Sequence, residues 1–348
     1  MTRTVEAVVL HQAMDLRIGS VEMEGPGPGE VAVAIERGGI CGSDLHYYHE
    51  GRIGTITVKE PLVLGHEVAG RVTATGQDVT NVRAGDRVAL SPSRPCGKCR
   101  YCRDGKAIHC LDMRFYGSAM RFPHVQGAFR REIVAHHSQC MRVPDHVGAD
   151  EAAMCEPFAV CLHAANRAGT LSDRRVLITG CGPIGALTIV AARHFGAGEI
   201  VVTDINDMPF PLARKLGADR TINVATDPAA IQEFSRDKGY FDVVFECSGN
   251  EKALTGAFDA IKPLGIIVQV GIAGLVTLPI NFVVTKELDV RGTFRFDGEF
   301  ALAAELISSR AVDVRPLISA THPYTDAIAA FELASDRARA MKVQLAFT

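Results

Sequence analysis

The stretch RRVLITGCGPIGALTIVAARHFG, residues 174–196, restricts the fold more than any other. An apolar run ends in Gly180, Gly182 and Gly185, spaced G-x-G-x-x-G, and an apolar helical pattern follows at once. Strand, glycine turn and helix in that order are the context in which this spacing carries meaning. The first glycine permits the tight turn, the second lets backbone approach a pyrophosphate, and the third lets helix pack on strand. The helix N-terminus then offers free N–H groups to an anion. Asp204 closes the next apolar run, EIVVTD, 19 residues after Gly185. A carboxylate there accepts hydrogen bonds from ribose hydroxyls and repels a 2′-phosphate. NAD is therefore the preferred dinucleotide, with NADP second because Arg214 and Lys215 stand nearby.

Around this motif the chain has two textures. From about residue 174 apolar strands such as FDVVFECSG and GIIVQVG alternate with helical stretches such as PLARKLGA. That rhythm predicts a parallel sheet covered on both faces. Residues before about 150 are instead short alternating runs, among them EVAVAIERGG and HEVAGRVTATG, punctuated by glycine, proline and aspartate. They read as many short strands. The stretch after about 290 leaves the alternating rhythm and is expected to rejoin the first domain. The expected class is α/β, with residues 1–152 and 290–348 as a β-rich catalytic domain and 153–289 as a dinucleotide-binding domain.

The bulk properties exclude several partners. Among 348 residues, 47% are hydrophobic and 22% charged, as in an ordinary globular protein. A net charge of -3 gives no electrostatic reason to bind nucleic acid or an anionic membrane. No apolar run reaches the roughly 20 residues of a spanning helix, and the first residues alternate like a strand without a signal-peptide core. A cytoplasmic location is expected, and in a reducing compartment clustered thiols suggest metal rather than disulfides. Cys140, Cys155, Cys161, Cys181 and Cys247 lie scattered in apolar or glycine-rich sequence and are assigned to packing.

The remaining cysteines are arranged differently. In PCGKCRYCRDGKAIHC, Cys96, Cys99, Cys102 and Cys110 have the spacing C-x2-C-x2-C-x7-C. Four thiolates so placed close a tetrahedron around one zinc, although iron–sulfur sites share the C-x2-C-x2-C run. The intervening residues offer almost no core, and bound zinc supplies on the order of 10 kcal/mol of folding energy to such a segment. With every position filled by protein, this metal is structural.

Cys41 stands apart, in GGICGSDLHYYHEG at residues 38–51, and VLGHEVAG places His66 and Glu67 25 residues on. Thiol, imidazole and carboxylate form the mixed set that zinc accepts when one position stays open for water or substrate. Glu156, before a proline at the domain transition, is either a fourth ligand or a hydrogen-bonding partner of the metal's water. An alcohol gives up hydride readily only as an alkoxide, and its pKa lies about nine units above a histidine base, or about 12 kcal/mol. Zinc brings a bound hydroxyl to about 7, which removes most of that gap. Ser43 and His46, two and five residues beyond Cys41, are placed to relay the proton outward through a cofactor ribose hydroxyl.

Together GGICGSDLHYY, LGHEVAG, the four-cysteine lobe, EPFAV and GCGPIG resemble the zinc-dependent medium-chain dehydrogenases of the polyol (sorbitol dehydrogenase) group, over essentially the whole chain. The resemblance implies a GroES-like catalytic domain, a Rossmann domain, two zinc ions per chain and a homotetramer or dimer. It assigns the catalytic zinc to Cys41, His66 and Glu67, with Glu156 holding or replacing its water, and the relay to Ser43 and His46. It adds Pro183, Ile184, Val270 and Arg295 to the cofactor contacts and Tyr47 to the substrate contacts. The stretches DMRFYGSAMRFPHVQGAF, SPSRPCGKCRYC and RGTFRF resemble a branch of that group acting on a sugar acid. The implied reaction interconverts L-idonate and 5-keto-D-gluconate, with sorbitol or xylitol as the alternative substrate. Sorbitol dehydrogenases carry an Arg-Tyr pair where this chain has Arg295 and Phe296. A carboxylate substrate calls for a cation, and Arg114, Arg121, His124 and Arg295 are the candidates.

Overall fold

The computed structural model describes residues 2–272 and 274–348. They form two compact units, Met1–Glu156 with Phe300–Thr348, and Pro157–Glu299.

The first unit is built on a mixed seven-stranded sheet. Along its path lie Cys140–Val143, Arg87–Leu90, Glu67–Thr75, Glu30–Gly39, Lys342–Ala346 and Ile318–Pro323, and Glu132–His136 also pairs with Glu30–Gly39. Val31, Val33 and Ile35 send alternate side chains into a core shared with Val68, Phe129 and Leu345, the period of two that the sequence shows. Two registers position the site. Glu67 on one neighbouring strand and Gln344 on the other both stand opposite Gly39.

The second unit carries six parallel strands in the order Arg220–Asn223, Glu199–Asp204, Arg175–Thr179, Phe241–Glu246, Ile261–Gln269, Asp289–Gly292. Every residue of Phe241–Glu246 is buried, as the near-continuous apolar runs of a doubly covered sheet require. The chain starts at the central strand Arg175–Thr179, builds outward to one edge, then crosses back to build the other. That reversal makes the crevice at the C-terminal ends of the central strands a ligand site. The expected α/β class, a β-rich domain plus a doubly wound sheet, holds. Among the described residues no helix is long and apolar enough to cross a membrane.

Candidate active site and metal centres

Cys41 follows the strand Glu30–Gly39 and caps the helix Gly42–Glu50. Its ligand atom, one of His66 and one of Glu67 all lie within 4.8 Å of one another, with His66 and Glu67 buried. Three strands converge to make this possible. A Cβ at Gly39 would sit 2.2 Å from Glu67 Oε2, so only glycine leaves room for the carboxylate between Glu67–Thr75 and Lys342–Ala346.

Two further residues complete the cluster, and neither was assigned a role from sequence. Lys342 Nζ donates to Glu67 Oε1 at 2.9 Å, to Glu67 Oε2 at 2.7 Å and to Ile40 O at 3.1 Å. Burial works to neutralise this lysine, but the Glu67 and Cys41 charges outweigh it and hold Lys342 above its usual value. Asp44, fully buried, accepts from Cys41 N at 3.0 Å and from Gly65 N at 3.1 Å. One carboxylate thereby ties together the two segments that carry the thiol and the imidazole. Burial raises its pKa. A carboxylate three residues into a helix is a visible capping signal; the Lys342–Glu67 pair has no local signal at all.

The donor chemistry fits zinc. His66 Nδ1 is enclosed without a hydrogen-bond partner, 3.7 Å from Asp44 Oδ1, and Nε2 lies 3.5 Å from Ser43 Oγ. A carboxylate facing one ring nitrogen directs the lone pair of the other toward a metal. Burial, and then the Glu67 charge, pushes the Cys41 thiol up to about 12, so a cation at these donors is what would make it a thiolate at neutral pH. Glu156, 5% exposed, is pushed up to about 8, chiefly by burial and then by Glu67 and Cys41, against the pull of His66. It stands close to all three donors but outside the mutually close set. His46 is exposed, with Nδ1 3.3 Å from Glu50 Oε1.

The four-cysteine lobe fits a closed zinc site. Sulfurs about 2.3 Å from one zinc stand roughly 3.8 Å apart in a tetrahedron; Cys99 Sγ lies 3.5 Å from Cys102 Sγ and 3.9 Å from Cys110 Sγ. Cys110 Sγ accepts from Cys96 N at 3.1 Å and Asp112 N at 3.3 Å, and the Leu111 and Cys102 N–H groups lower Cys99 to about 6. The helix Arg100–Arg103 within the lobe buries nothing. All ten cysteines are free thiols. Of the five assigned to packing, Cys140, Cys155, Cys161 and Cys181 are buried and Cys247 is partly so.

In the second unit the glycine turn has the shape its spacing predicts. Gly180 has φ +82°, and a Cβ on Gly185 would meet Gly180 O at 1.9 Å. Gly182 has nothing within 4 Å of a Cβ position and caps the helix Pro183–His194, whose first residues are Pro183 and Ile184. Asp204 closes its strand and accepts from Cys181 N, Ile205 N and Asn206 N at 2.7, 2.7 and 2.9 Å. Arg214 is turned to Thr221 Oγ1, 2.5 Å away. Val270 follows the strand Ile261–Gln269, its N donating to Glu246 O at 2.8 Å. Arg295 has φ +52° and lies over the Phe294 ring at 4.8 Å.

The substrate candidates separate. Arg121 is ion-paired with Asp112. His124 is buried, with Nε2 accepting from Lys59 N at 2.8 Å and Nδ1 donating to Arg121 O at 2.7 Å. Both are engaged in bonds within the chain. Tyr47, 3% exposed, belongs to the core, its hydroxyl accepting from Ala119 N at 3.1 Å. Arg114 is exposed. Phe115, its neighbour, packs its ring 5.4 Å from that of His66.

Residues 27–145 match the family described as Alcohol dehydrogenase GroES-like domain, and residues 183–309 match Zinc-binding dehydrogenase. The chain belongs to the zinc-binding dehydrogenase family, whose members are NAD(P)-linked alcohol and polyol dehydrogenases. It is 43% identical over 316 residues to the L-idonate 5-dehydrogenase (NAD(P)(+)) of Escherichia coli, covering 90% of this chain and 91% of that one. It is 36% identical to the sorbitol dehydrogenase of Bacillus subtilis, covering 92% and 91%. The crystal structure of L-idonate 5-dehydrogenase from Escherichia coli superposes with a TM-score of 0.95 at 39% identity, over 99% of each chain.

Proposed function

We propose that the protein oxidises a secondary alcohol of a sugar acid, interconverting L-idonate and 5-keto-D-gluconate, with NAD preferred over NADP. The observation that carries the reaction class is the Cys41–His66–Glu67 donor set, with His66 and Glu67 buried and Ser43 Oγ 3.5 Å from His66 Nε2. The similarity to L-idonate 5-dehydrogenases carries the substrate. Zinc held by Cys41, His66 and Glu67 would supply a Lewis acid that makes a substrate hydroxyl acidic, and nicotinamide would accept the hydride.

The chain's own residues do the rest. Ser43 takes the hydroxyl proton, and His46, exposed beside Glu50, releases it to solvent. Lys342 holds both oxygens of Glu67 in place, and Asp44 holds the Cys41 and Gly65 segments in register. Glu156 positions the water or hydroxyl that faces the donors. Gly180, Gly182 and Gly185 receive the pyrophosphate with Pro183 and Ile184, Asp204 takes the ribose, and Val270 and Arg295 extend the cofactor contacts. With Arg121 and His124 engaged in structural bonds, Arg114 and Arg295 are the cations left for the carboxylate. Cys96, Cys99, Cys102 and Cys110 hold the structural zinc.

Ten unpaired cysteines support a reducing, cytoplasmic setting. A homo-oligomer is supported by the edge strand Asp289–Gly292, which among the described residues has a neighbour on one side only, and by the exposed Val284, Val290 and Phe294 around it. The decisive experiment compares kcat/KM for L-idonate and sorbitol with each nicotinamide. The proposal predicts a clear advantage for the acid with NAD; equal values for both substrates reject the sugar-acid reading in favour of a neutral polyol.

A further inference from the structure

Glu246, the last residue of the strand Phe241–Glu246, is 0% exposed, and among the described residues no lysine, arginine or histidine lies within ion-pair distance of it. The buried Glu67, Glu132, Glu151 and Asp242 each face a lysine or arginine. Glu246 is held instead by donors that carry no charge. Its Oε1 accepts from Ser248 N at 2.8 Å, from Thr179 Oγ1 at 3.3 Å and from the Ser248 hydroxyl. Its Oε2 accepts from Gly249 N at 3.0 Å and from Gln269 Nε2 at 2.5 Å. Donors on both oxygens are the set that an ionised carboxylate takes. A buried carboxylate without a counter-cation costs free energy that a fold ordinarily avoids.

The strands around it place that charge. Thr179, Glu246 and Gln269 stand side by side in register at the C-terminal ends of three neighbouring strands. Glu246 O also accepts from Val270 N and Gly271 N, both at 2.8 Å, so one residue ties down the loops that follow two strands. Residues 247–249 and 269–271 are partly exposed and cover the carboxylate. The packing is close: a Cβ on Gly271 would sit 2.2 Å from Gly249 N, and one on Gly180 would sit 2.8 Å from Ser248 Cβ. In chain order the six strands run 3-2-1-4-5-6, the arrangement that takes one nucleotide on each half of the sheet. Asp204 marks the adenosine half. Glu246 and Gln269 stand in the other half, which is left for the nicotinamide.

We propose that Glu246 positions the nicotinamide half of the cofactor site and, as a negative charge without a counter-cation, makes that site hold oxidised dinucleotide more tightly than reduced. The oxidised ring is a pyridinium cation, and it is neutral once it has accepted hydride. A unit charge within roughly 10 Å of another changes an affinity on the order of tenfold at an effective dielectric near 20. This role depends on a dinucleotide bound at Gly180, Gly182 and Gly185, as proposed above.

The test measures dissociation constants of NAD, NADH and ADP-ribose for the full-length, zinc-loaded protein by calorimetry at one pH and ionic strength. Glu246→Gln should weaken NAD relative to NADH about tenfold, and ADP-ribose, which has no pyridinium, should follow NADH. Loosened loops alone would weaken NAD and NADH alike and leave their ratio where it was. Glu246→Asp keeps the charge and should keep the wild-type ratio, even if both forms bind less tightly. Gln269→Lys sets an ammonium beside the carboxylate and should move the ratio in the same direction as Glu246→Gln, so the question stays answerable if Glu246→Gln does not fold. An unchanged ratio in Gln269→Lys, or a ratio that shifts as far in Glu246→Asp as in Glu246→Gln, overturns the proposal while leaving the dinucleotide site intact. A wild-type protein that binds none of the three ligands overturns the dinucleotide site itself, and this role of Glu246 with it.

Discussion

Replacing Lys342 with methionine isolates the least exposed ion pair around the metal donors. Lys342 and Glu67 side chains are 3% and 1% exposed, and the ammonium holds both carboxylate oxygens. Methionine fills a similar volume but leaves Glu67 charged and unpaired in a dry site. Removing one member of a buried pair costs about 3–5 kcal/mol. At about 2–4 °C per kcal/mol for a domain of roughly 150–250 residues, that is a melting shift of roughly 6–20 °C for the unit that carries the pair. The loss should be largest in metal-depleted protein, because zinc bound at Glu67 would supply a substitute positive charge. Adding Glu67→Gln to Lys342→Met removes the orphaned charge and should recover most of the loss. Melting curves of the wild type, both single variants and the double variant, each with and without zinc, give the coupling directly. The reasoning is refuted if Lys342→Met loses less than about 1 kcal/mol, or if the double variant falls as far as the sum of the singles.

Other outcomes follow from the same geometry. Cys96→Ser should lower bound zinc from two ions per chain to one and expose the segment around Arg100–Arg103 to proteolysis; undiminished metal content would contradict a four-sulfur site. Asp204→Asn should reduce kcat/KM with NAD at least about tenfold more than with NADP, the scale of a charged hydrogen bond. Equal losses would leave Asp204 only the turn-holding bonds to Cys181, Ile205 and Asn206. Glu299 is opposed by burial but held down by His163, Asp297 N and Asn166, to about 2. Its folded value is depressed, so its contribution is complete above the unfolded value near 4.5 and disappears as pH falls toward 2. That depression corresponds to about 3 kcal/mol. Glu299→Gln should therefore be less stable at neutral pH and show a flatter loss between those limits in acid denaturation; an unchanged acid limb would contradict the assignment.

What could be read in advance follows residue chemistry and local spacing. The glycine turn needs only contiguous residues, because Gly180 and Gly185 meet across five positions. Strand alternation and the parallel-sheet rhythm likewise express themselves within a dozen residues. Cys41, His66 and Glu67 are visible as donor types, since few other tasks call for thiol and imidazole beside glycines. Lys342 is invisible by the same logic. It reaches Glu67 across 275 residues of sequence, and nothing near it marks a buried ammonium. The arginines show the opposite limit. Arg121 and His124 look available to a carboxylate in the sequence, but Asp112 folds back onto one and the Lys59 N–H onto the other. A cation's partner is a tertiary fact, and sequence supplies only the cation.

The central claim is that a metal ion held by Cys41, His66 and Glu67 makes the substrate hydroxyl acidic. The most direct measurement is L-idonate turnover with NAD by Cys41→Ser, taken together with its zinc content and NAD affinity. One zinc per chain, NAD affinity within a few-fold of wild type and turnover reduced more than about a thousandfold is the predicted result, given the size of the pKa gap the metal closes. Turnover near the wild-type rate in protein that has lost that zinc would contradict the account.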